Sequence, residues 1–121
     1  MIDFVDAVNE LRTQVLLDVD SSDFRWPNAL VLRAANAVIR EMMQKKPILL
    51  FDAENHYLSV DDFVLGDSAF DEHAKVNVPG RYREAFIHGM AAQLLNGNAT
   101  NQVDAQRMAY EKSRFDELML R

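Results

Sequence analysis

The sequence predicts a mainly α-helical protein, a small bundle of about four main helices with an irregular acidic middle segment that could contain a short β-hairpin. Apolar residues recur three and four positions apart in four stretches, which is the helical period. Proline or turn-forming residues separate these stretches. The 121 residues suffice for one domain. We therefore expect a single domain over residues 1–121, with an acidic insertion at residues 48–78.

The first two helices are expected over residues 3–17 and 27–45. The apolar residues that share one face of the first helix are Phe4, Val8, Leu11 and Val15. Residues 18–23 are rich in Asp and Ser, whose side chains satisfy the local backbone in turns, so they predict a loop. Pro27 suits the first position of the second helix, and Pro47 prevents that helix from continuing.

The middle segment concentrates the negative charge of the chain. The short apolar runs at residues 48–51 and 57–60 could be two strands joined by a turn at residues 53–55. From Ile48 to Ala74 there is no Lys or Arg, and the segment carries −7, which leaves +1 for the rest of the chain. Its acidic residues are Asp52, Glu54, Asp61, Asp62, Asp67, Asp71 and Glu72.

The third and fourth helices are expected over residues 79–96 and 101–119. Gly97 follows the third helix as a stop signal, and the short connection makes the two helices antiparallel neighbours. Gly89 costs about 1 kcal/mol inside a helix, and we interpret it as permitting a close approach to another helix. The residues of the fourth helix expected to point mostly inward are Ala105, Met108, Ala109, Phe115, Leu118 and Met119.

Composition excludes several classes of function. The chain has 13 basic and 19 acidic side chains and a formal charge of −6, with no basic run that would grip nucleic acid or an anionic membrane. It has no cysteine, which excludes disulfides and thiolate metal sites. No signal peptide is expected at its start, and no apolar run approaches the roughly 20 residues that span a bilayer.

The sequence indicates no enzyme, no cofactor and no metal site. None of the three histidines has a metal or triad spacing, and no glycine-rich loop precedes a helix. We expect His88 to be a partly buried or solvated helix residue. The residues that could converge on a hard cation or zinc are Glu54, His56, Asp71 and His73. Acid-rich loops are common, however, and these four residues show no ordered ligand spacing.

Two apolar features raise the question of a partner. Trp26, the only tryptophan, is interpreted as a packing anchor at the start of the second helix, with an interface role as the alternative. The C-terminus stays apolar to its last turn, whereas free ends of domains are usually more polar. The same chain or another subunit is expected to cover it. The candidate partner-interface residues are Arg114, Phe115, Leu118, Met119, Leu120 and Arg121.

Two groups of motifs, one near each end of the chain, carry a resemblance. The front group comprises Arg25-Trp26 before a helix, Asn36-Ala37 followed by Ile39-Arg40-Glu41, and Lys46-Pro47. The back group comprises Val78-Pro79, Tyr82-Arg83, Ala85, Asp104-Ala105-Gln106, Tyr110 and Phe115. In this order, over about residues 10–120, the chain resembles the small head-to-tail adaptor (connector) proteins of tailed bacteriophages. It departs from them in its unusually acidic, variable middle.

The resemblance implies a virion structural protein at the head-to-tail interface, made in the host cytoplasm. Such adaptors are small helical bundles that form a ring, commonly of twelve copies, beneath the portal protein. They extend the DNA channel and provide the platform for tail attachment. The implied partners are the portal, tail or nozzle proteins and further copies of the chain, while DNA passes through without specific binding. We hypothesise that part of residues 52–73 faces the channel or a tail partner and that the C-terminal helix docks on the portal.

Two other functions remain open at the level of sequence. A small acidic helical protein that binds and inhibits a host factor would share the size, the charge and the lack of catalytic motifs. A metal-dependent enzyme would use the candidate ligands named above. Retention in the virus particle distinguishes an adaptor from an inhibitor.

Overall fold

A computed structural model describes residues 1–51, 58–71, 74–97 and 102–120. It confirms a mainly helical bundle. The helices and strands are β1 (Ile2–Asp3), α1 (Phe4–Glu10) with a π-helical continuation (Leu11–Val15), α2 (Asn28–Lys45), β2 (Lys75–Val76), α3 (Arg83–Gly97) and α4 (Gln102–Met119). Single 3₁₀ turns cover Pro47–Leu50, Val60–Asp62, Asp67–Phe70 and Gly80–Tyr82.

Contacts between side chains fix the directions of α2, α3 and α4. The Trp26 indole N–H, just before α2, donates to the carbonyl of Leu94 near the end of α3 at 3.2 Å, so these helices are antiparallel. Lys45 at the end of α2 lies 3.1 Å from the carboxylate of Asp116 near the end of α4. Helices α2 and α4 are therefore parallel, and the predicted antiparallel hairpin of α3 and α4 is confirmed.

Helix α1 runs parallel to α3. Arg83 at the start of α3 donates to the Glu10 carboxylate at 2.7 Å, and Arg107 of α4 donates to the carbonyl of Val15 at 3.1 Å. The bundle thus has two ends. We call the end with residues 16–27, the close of α3 and the start of α4 the loop end. The opposite end, with β1, β2, the close of α2 and the close of α4, is the sheet end.

The strands differ from the predicted hairpin. β1 pairs with β2 in antiparallel register, Ile2 opposite Val76, and the two strands join distant parts of the chain. The first predicted strand was wrong, because Pro47 begins a 3₁₀ turn through Leu50 instead. The N–H of Leu58 still donates to the carbonyl of Leu50 at 2.7 Å, so both flanks of the predicted turn meet. The turn at residues 53–55 lies outside the described residues.

The acidic segment is attached to the bundle by its backbone and by apolar side chains. The side-chain amide of Asn36 donates to the carbonyl of Leu65 at 2.9 Å and accepts from the N–H of Leu65 at 2.8 Å. Phe70 packs edge-on against Phe4 with ring centroids 5.1 Å apart, and Phe63 is buried. These contacts hold the segment against α1 and α2, while the carboxylates of Asp61, Asp62, Asp67 and Asp71 stay in solvent.

The orientation of α4 corrects one prediction. Ala105 and Ala109, expected to point inward, are exposed. Asp104 and Glu111 are buried instead, and each has a partner on another element. Paired carboxylates therefore occupy positions that a hydrophobic pattern assigns to apolar residues.

The helices α2 and α4 both approach α3 closely at Gly89. A Cβ atom added to Gly89 would lie 2.7 Å from Cγ1 of Val38 and 2.8 Å from Cδ1 of Phe115. Both neighbours are fully buried, so neither can move without disturbing the core. The interpretation of Gly89 as a close-approach residue is confirmed.

We expect Gly89→Ala to lower the free energy of unfolding by about 1–2 kcal/mol. Overpacking against Val38 and Phe115 outweighs the roughly 1 kcal/mol gain in helix propensity. Urea denaturation measures this change. Gly80→Ala is the matched control, because a Cβ atom there meets nothing within 4 Å. Equal effects of the two substitutions would contradict the packing argument.

Candidate functional site

A buried ion pair organises the loop end. Arg12 donates to the carboxylate of Asp18 at 2.9 Å, and both side chains are only 7% exposed. The same carboxylate accepts the backbone N–H groups of Arg25 and Trp26, each at 3.0 Å. A second guanidinium nitrogen of Arg12 donates to the side-chain carbonyl of Asn28 at 2.9 Å. Asp18, predicted only as a loop residue, therefore fixes the chain that leads into α2.

Trp26 is a packing anchor, as predicted. It is 2% exposed, and its indole N–H donates to the carbonyl of Leu94. The guanidinium of Arg25 lies 4.3 Å from the centre of the Trp26 ring and donates to Asp104 at 2.5 Å. Motifs from the front and the back of the chain thus meet at one place. With almost no exposed surface, Trp26 offers little for a partner to contact.

The described carboxylates of the acidic segment face solvent. The exposed ones are Asp61, Asp62, Asp67 and Asp71. Asp62 also accepts the N–H of Ser59 at 2.8 Å, which caps a 3₁₀ turn. Asp52, Glu54 and Glu72, predicted for the same surface, lie outside the described residues.

The candidate C-terminal interface divides into a buried and an exposed part. The residues buried within the chain are Phe115, Leu118 and Met119. Leu120 is 85% exposed, and Arg114 lies 3.2 Å from Glu117 in a surface ion pair. Arg121 lies outside the described residues. In this conformation a partner can therefore reach Arg114 and Leu120.

His88 joins α3 to α4 and is partly buried, as expected. Its Nδ1 hydrogen-bonds with the carboxylate of Glu111, and its Nε2 lies 3.8 Å from the carboxylate of Glu84. The imidazole side chain is 15% exposed. A histidine between two carboxylates on packed helices links those helices.

The candidate cation ligands are not assembled among the described residues. Glu54, His56 and His73 lie outside them, and Asp71 is exposed. In the ranges that the structure describes, no group of three or more His, Asp or Glu side chains could hold a metal ion. Within the same ranges, no helix is long and apolar enough to cross a membrane.

A second charged cluster lies between α1 and α3. The hydrogen bond from Arg83 lowers the pKa of Glu10 below its ordinary value of 4.5. Burial, followed by the hydrogen bond with Glu10, raises the pKa of Glu84. Folding thus favours the ionised form of Glu10, which Arg83 stabilises, and the protonated form of Glu84. The cluster ties the start of α3 to α1.

Among the residues that the structure describes, the exposed large apolar side chains lie mainly at the two ends of the bundle. Those at the sheet end are Met1, Ile48, Phe51 and Leu120. Those at the loop end are Leu17, Val19 and Val103. Tyr110, midway along α4, is the exception. Grouped apolar residues on a surface mark interaction sites more strongly than scattered ones. Of this set, the sequence predicted only Leu120 as a partner contact.

Leu17 combines exposure with an unfavourable backbone conformation. Its φ is 55°, in the left-handed region, and its side chain is 73% exposed. The N–H of Asp18 bonds back to the carbonyl of Arg12 at 2.9 Å, which closes the helix end in the manner of a Schellman motif. Glycine is usual at this position, and an L-residue there costs about 1–2 kcal/mol. A strained, exposed leucine makes this position a candidate contact residue.

We expect Asp18→Asn to lower the free energy of unfolding by about 3 kcal/mol. The substitution leaves Arg12 as a buried charge without its counterion, which is the costly way to break a buried pair. Chemical denaturation measures the loss. Asp23→Asn, an exposed carboxylate in the same loop, is the control and changes stability far less. Similar losses for both variants would show that the ion pair does not organise this end.

We expect Glu10→Gln to lower the free energy of unfolding at pH 7 by about 0.5 kcal/mol, a value reduced for its partial exposure to solvent. Because the pKa of Glu10 is lowered in the folded chain, its stabilisation is present above pH 4.5 and is lost as the pH falls through the folded pKa. The difference between variant and wild type therefore shrinks at acid pH. Thermal unfolding across this pH range checks the sign.

Glu84→Gln is the matched control with the opposite sign. The raised pKa of Glu84 means that its ionisation opposes folding above its ordinary pKa of 4.5. This substitution should therefore increase stability at pH 7 relative to acid pH. A loss of stability at pH 7 in both variants would contradict the assignment of the two carboxyl groups.

Comparisons with known proteins supply no relative for this chain. No model of a protein family matches it, and neither the curated proteins nor the solved structures contain a match. Function is therefore inferred from the arrangement of the chain's own residues.

Proposed function

We propose that this chain is a virion structural protein, a head-to-tail adaptor of a tailed bacteriophage. It forms a ring beneath the portal, extends the DNA channel and provides the platform for tail attachment. The observation that carries the proposal is the grouping of exposed apolar side chains at opposite ends of one helical bundle. A subunit stacked between two different partners needs two such ends, whereas a protein with one partner needs only one.

The residues behind the resemblance to phage adaptors support this proposal through their structural roles. Arg25 binds Asp104 across 79 positions of the chain, and Trp26 binds the carbonyl of Leu94. Asn36 holds the acidic segment. These motifs are therefore contacts that determine the bundle, and proteins that share them are expected to share its architecture.

The acidic segment suits the wall of a DNA channel. Asp67 and Asp71 line a cleft with Asn28 and Leu32 of α2, so this part of the segment runs along the flank of the bundle. Exposed carboxylates on that flank repel the phosphates of passing DNA, which lets the duplex slide without adhering. The portal then docks at the sheet end, through Leu120 and its neighbours.

Quantitative mass spectrometry of purified virions tests the function. In particles of the phage that encodes the chain, we expect its copies to approach a one-to-one ratio with the portal protein. Absence from the particles would reject the adaptor and favour the small acidic inhibitor of a host factor.

Hydrogen exchange tests the docking surface separately. Binding of the portal should protect backbone amides after residue 101, at the close of α4 in particular. A chain that is retained in virions but gains no protection there would keep the adaptor function and reject this docking site.

A further inference from the structure

A cleft opens on the flank of the bundle where α2, α3 and α4 meet. Its volume is about 190 Å³. The lining comes from Glu41 on α2, from Gly89 and Ala92 on α3, and from Met108, Lys112 and Phe115 on α4. The small side chain of Ala92 leaves this space open. Lys112, which pairs with Glu41, closes one side of it.

Tyr110 projects from the opposite flank of α4. At about 100° of rotation per residue, it lies about 200° around the helix from Met108 and equally far from Lys112. Its side chain is 60% exposed, and no hydrogen bond, ion pair or ring contact to it is found among the described residues. A large aromatic side chain in water on a helix is a characteristic anchor of protein interfaces.

The cleft fits an aromatic ring in size and in chemistry. A cavity of about 150 Å³ accepts a benzene ring, so a cleft of this volume has room for a phenol. The wall offers the thioether of half-buried Met108, and the buried ring of Phe115 lies beneath it in the lining; both groups pack well against aromatic rings. The ammonium of Lys112 already lies 5.1 Å from the centre of the Phe115 ring, where it can also face an incoming ring.

We propose that Tyr110 of one copy inserts into this cleft of a second copy. This contact joins neighbouring subunits of the proposed ring, and it therefore rests on the proposed function. At 1.5 Å of rise per residue, Tyr110 lies about 3 Å along the α4 axis from Met108 and from Lys112, and about 7.5 Å from Phe115. Complementary sites on opposite flanks of one helix make a head-to-tail contact, and such a contact generates a ring when the rotation between copies closes.

The exposed alanines of α4 favour the same contact. Ala105 and Ala109 lie on the side of α4 that borders the cleft, and both are exposed. Small side chains there let a neighbouring helix approach closely enough for Tyr110 to reach Gly89. Packing of the core does not explain small side chains at these two positions, whereas the proposed contact does.

Thiol crosslinking between copies tests the proposal, because the chain has no cysteine of its own. One variant carries Gln106→Cys, one turn from Tyr110 on an exposed position, and the other carries Gln93→Cys at the rim of the cleft. Mixed at high concentration and treated with a short bismaleimide, the two variants should link, whereas each alone should link far less. Tyr110→Ala in the Gln106→Cys chain should weaken the association about thirtyfold, and Tyr110→Phe should retain it.

The control variant moves the thiol from α4 to the acidic segment. Ser68→Cys, exposed on the acidic segment, replaces Gln106→Cys in the control mixture and should not link. Equal linking in the control, or no effect of Tyr110→Ala, would overturn the contact. So would the absence of the crosslink both in the isolated chain and in virions that contain it. Self-association through Tyr110 in a chain missing from virions would instead reject the adaptor and keep the contact.

Discussion

The bundle depends on the burial of one carboxylate, that of Asp18. A carboxylate removed from water costs several kcal/mol unless its charge and its lone pairs are satisfied. The guanidinium of Arg12 supplies the opposite charge, and the N–H groups of Arg25 and Trp26 donate to the two carboxylate oxygens of Asp18. These requirements can be met together only when the chain turns sharply after the first helix. The turn brings Trp26 under the end of α3 and sets the direction of α2.

Helix register follows from contacts at both ends and in the middle. Buried Asp104, held by Arg25, fixes the start of α4 against the start of α2, while the exposed pair of Lys45 and Asp116 adds little at the other end. Between them, Gly89 admits its neighbours so closely that sliding either helix would create a clash or a void. Gly89 also lines the cleft on the flank, so the packing of the core and the shape of that surface meet at one residue.

Local patterns in the sequence predicted the helices, because each buries one periodic face. The partner of Asp104 is 79 positions away, and strands of two residues have no period, so neither the rotation of α4 nor the sheet could be predicted. The exposed apolar residues at the two ends of the bundle were predicted only in part. Leu120 ends an apolar helix and is visible in the sequence, but Leu17 takes a left-handed conformation that only a glycine would have signalled.

The side-chain amide of Asn36 binds the N–H and the carbonyl of Leu65 in the acidic segment. These two hydrogen bonds involve neither the side chain of Leu65 nor the charged residues around it. Phe63 and Phe70 are held by packing, but the bonds from Asn36 impose no requirement on the exposed side chains of the segment. Acidic residues can therefore be gained, lost or moved along this segment over evolution while the bundle stays intact. The charge presented on this flank is then free to diverge faster than the fold that carries it.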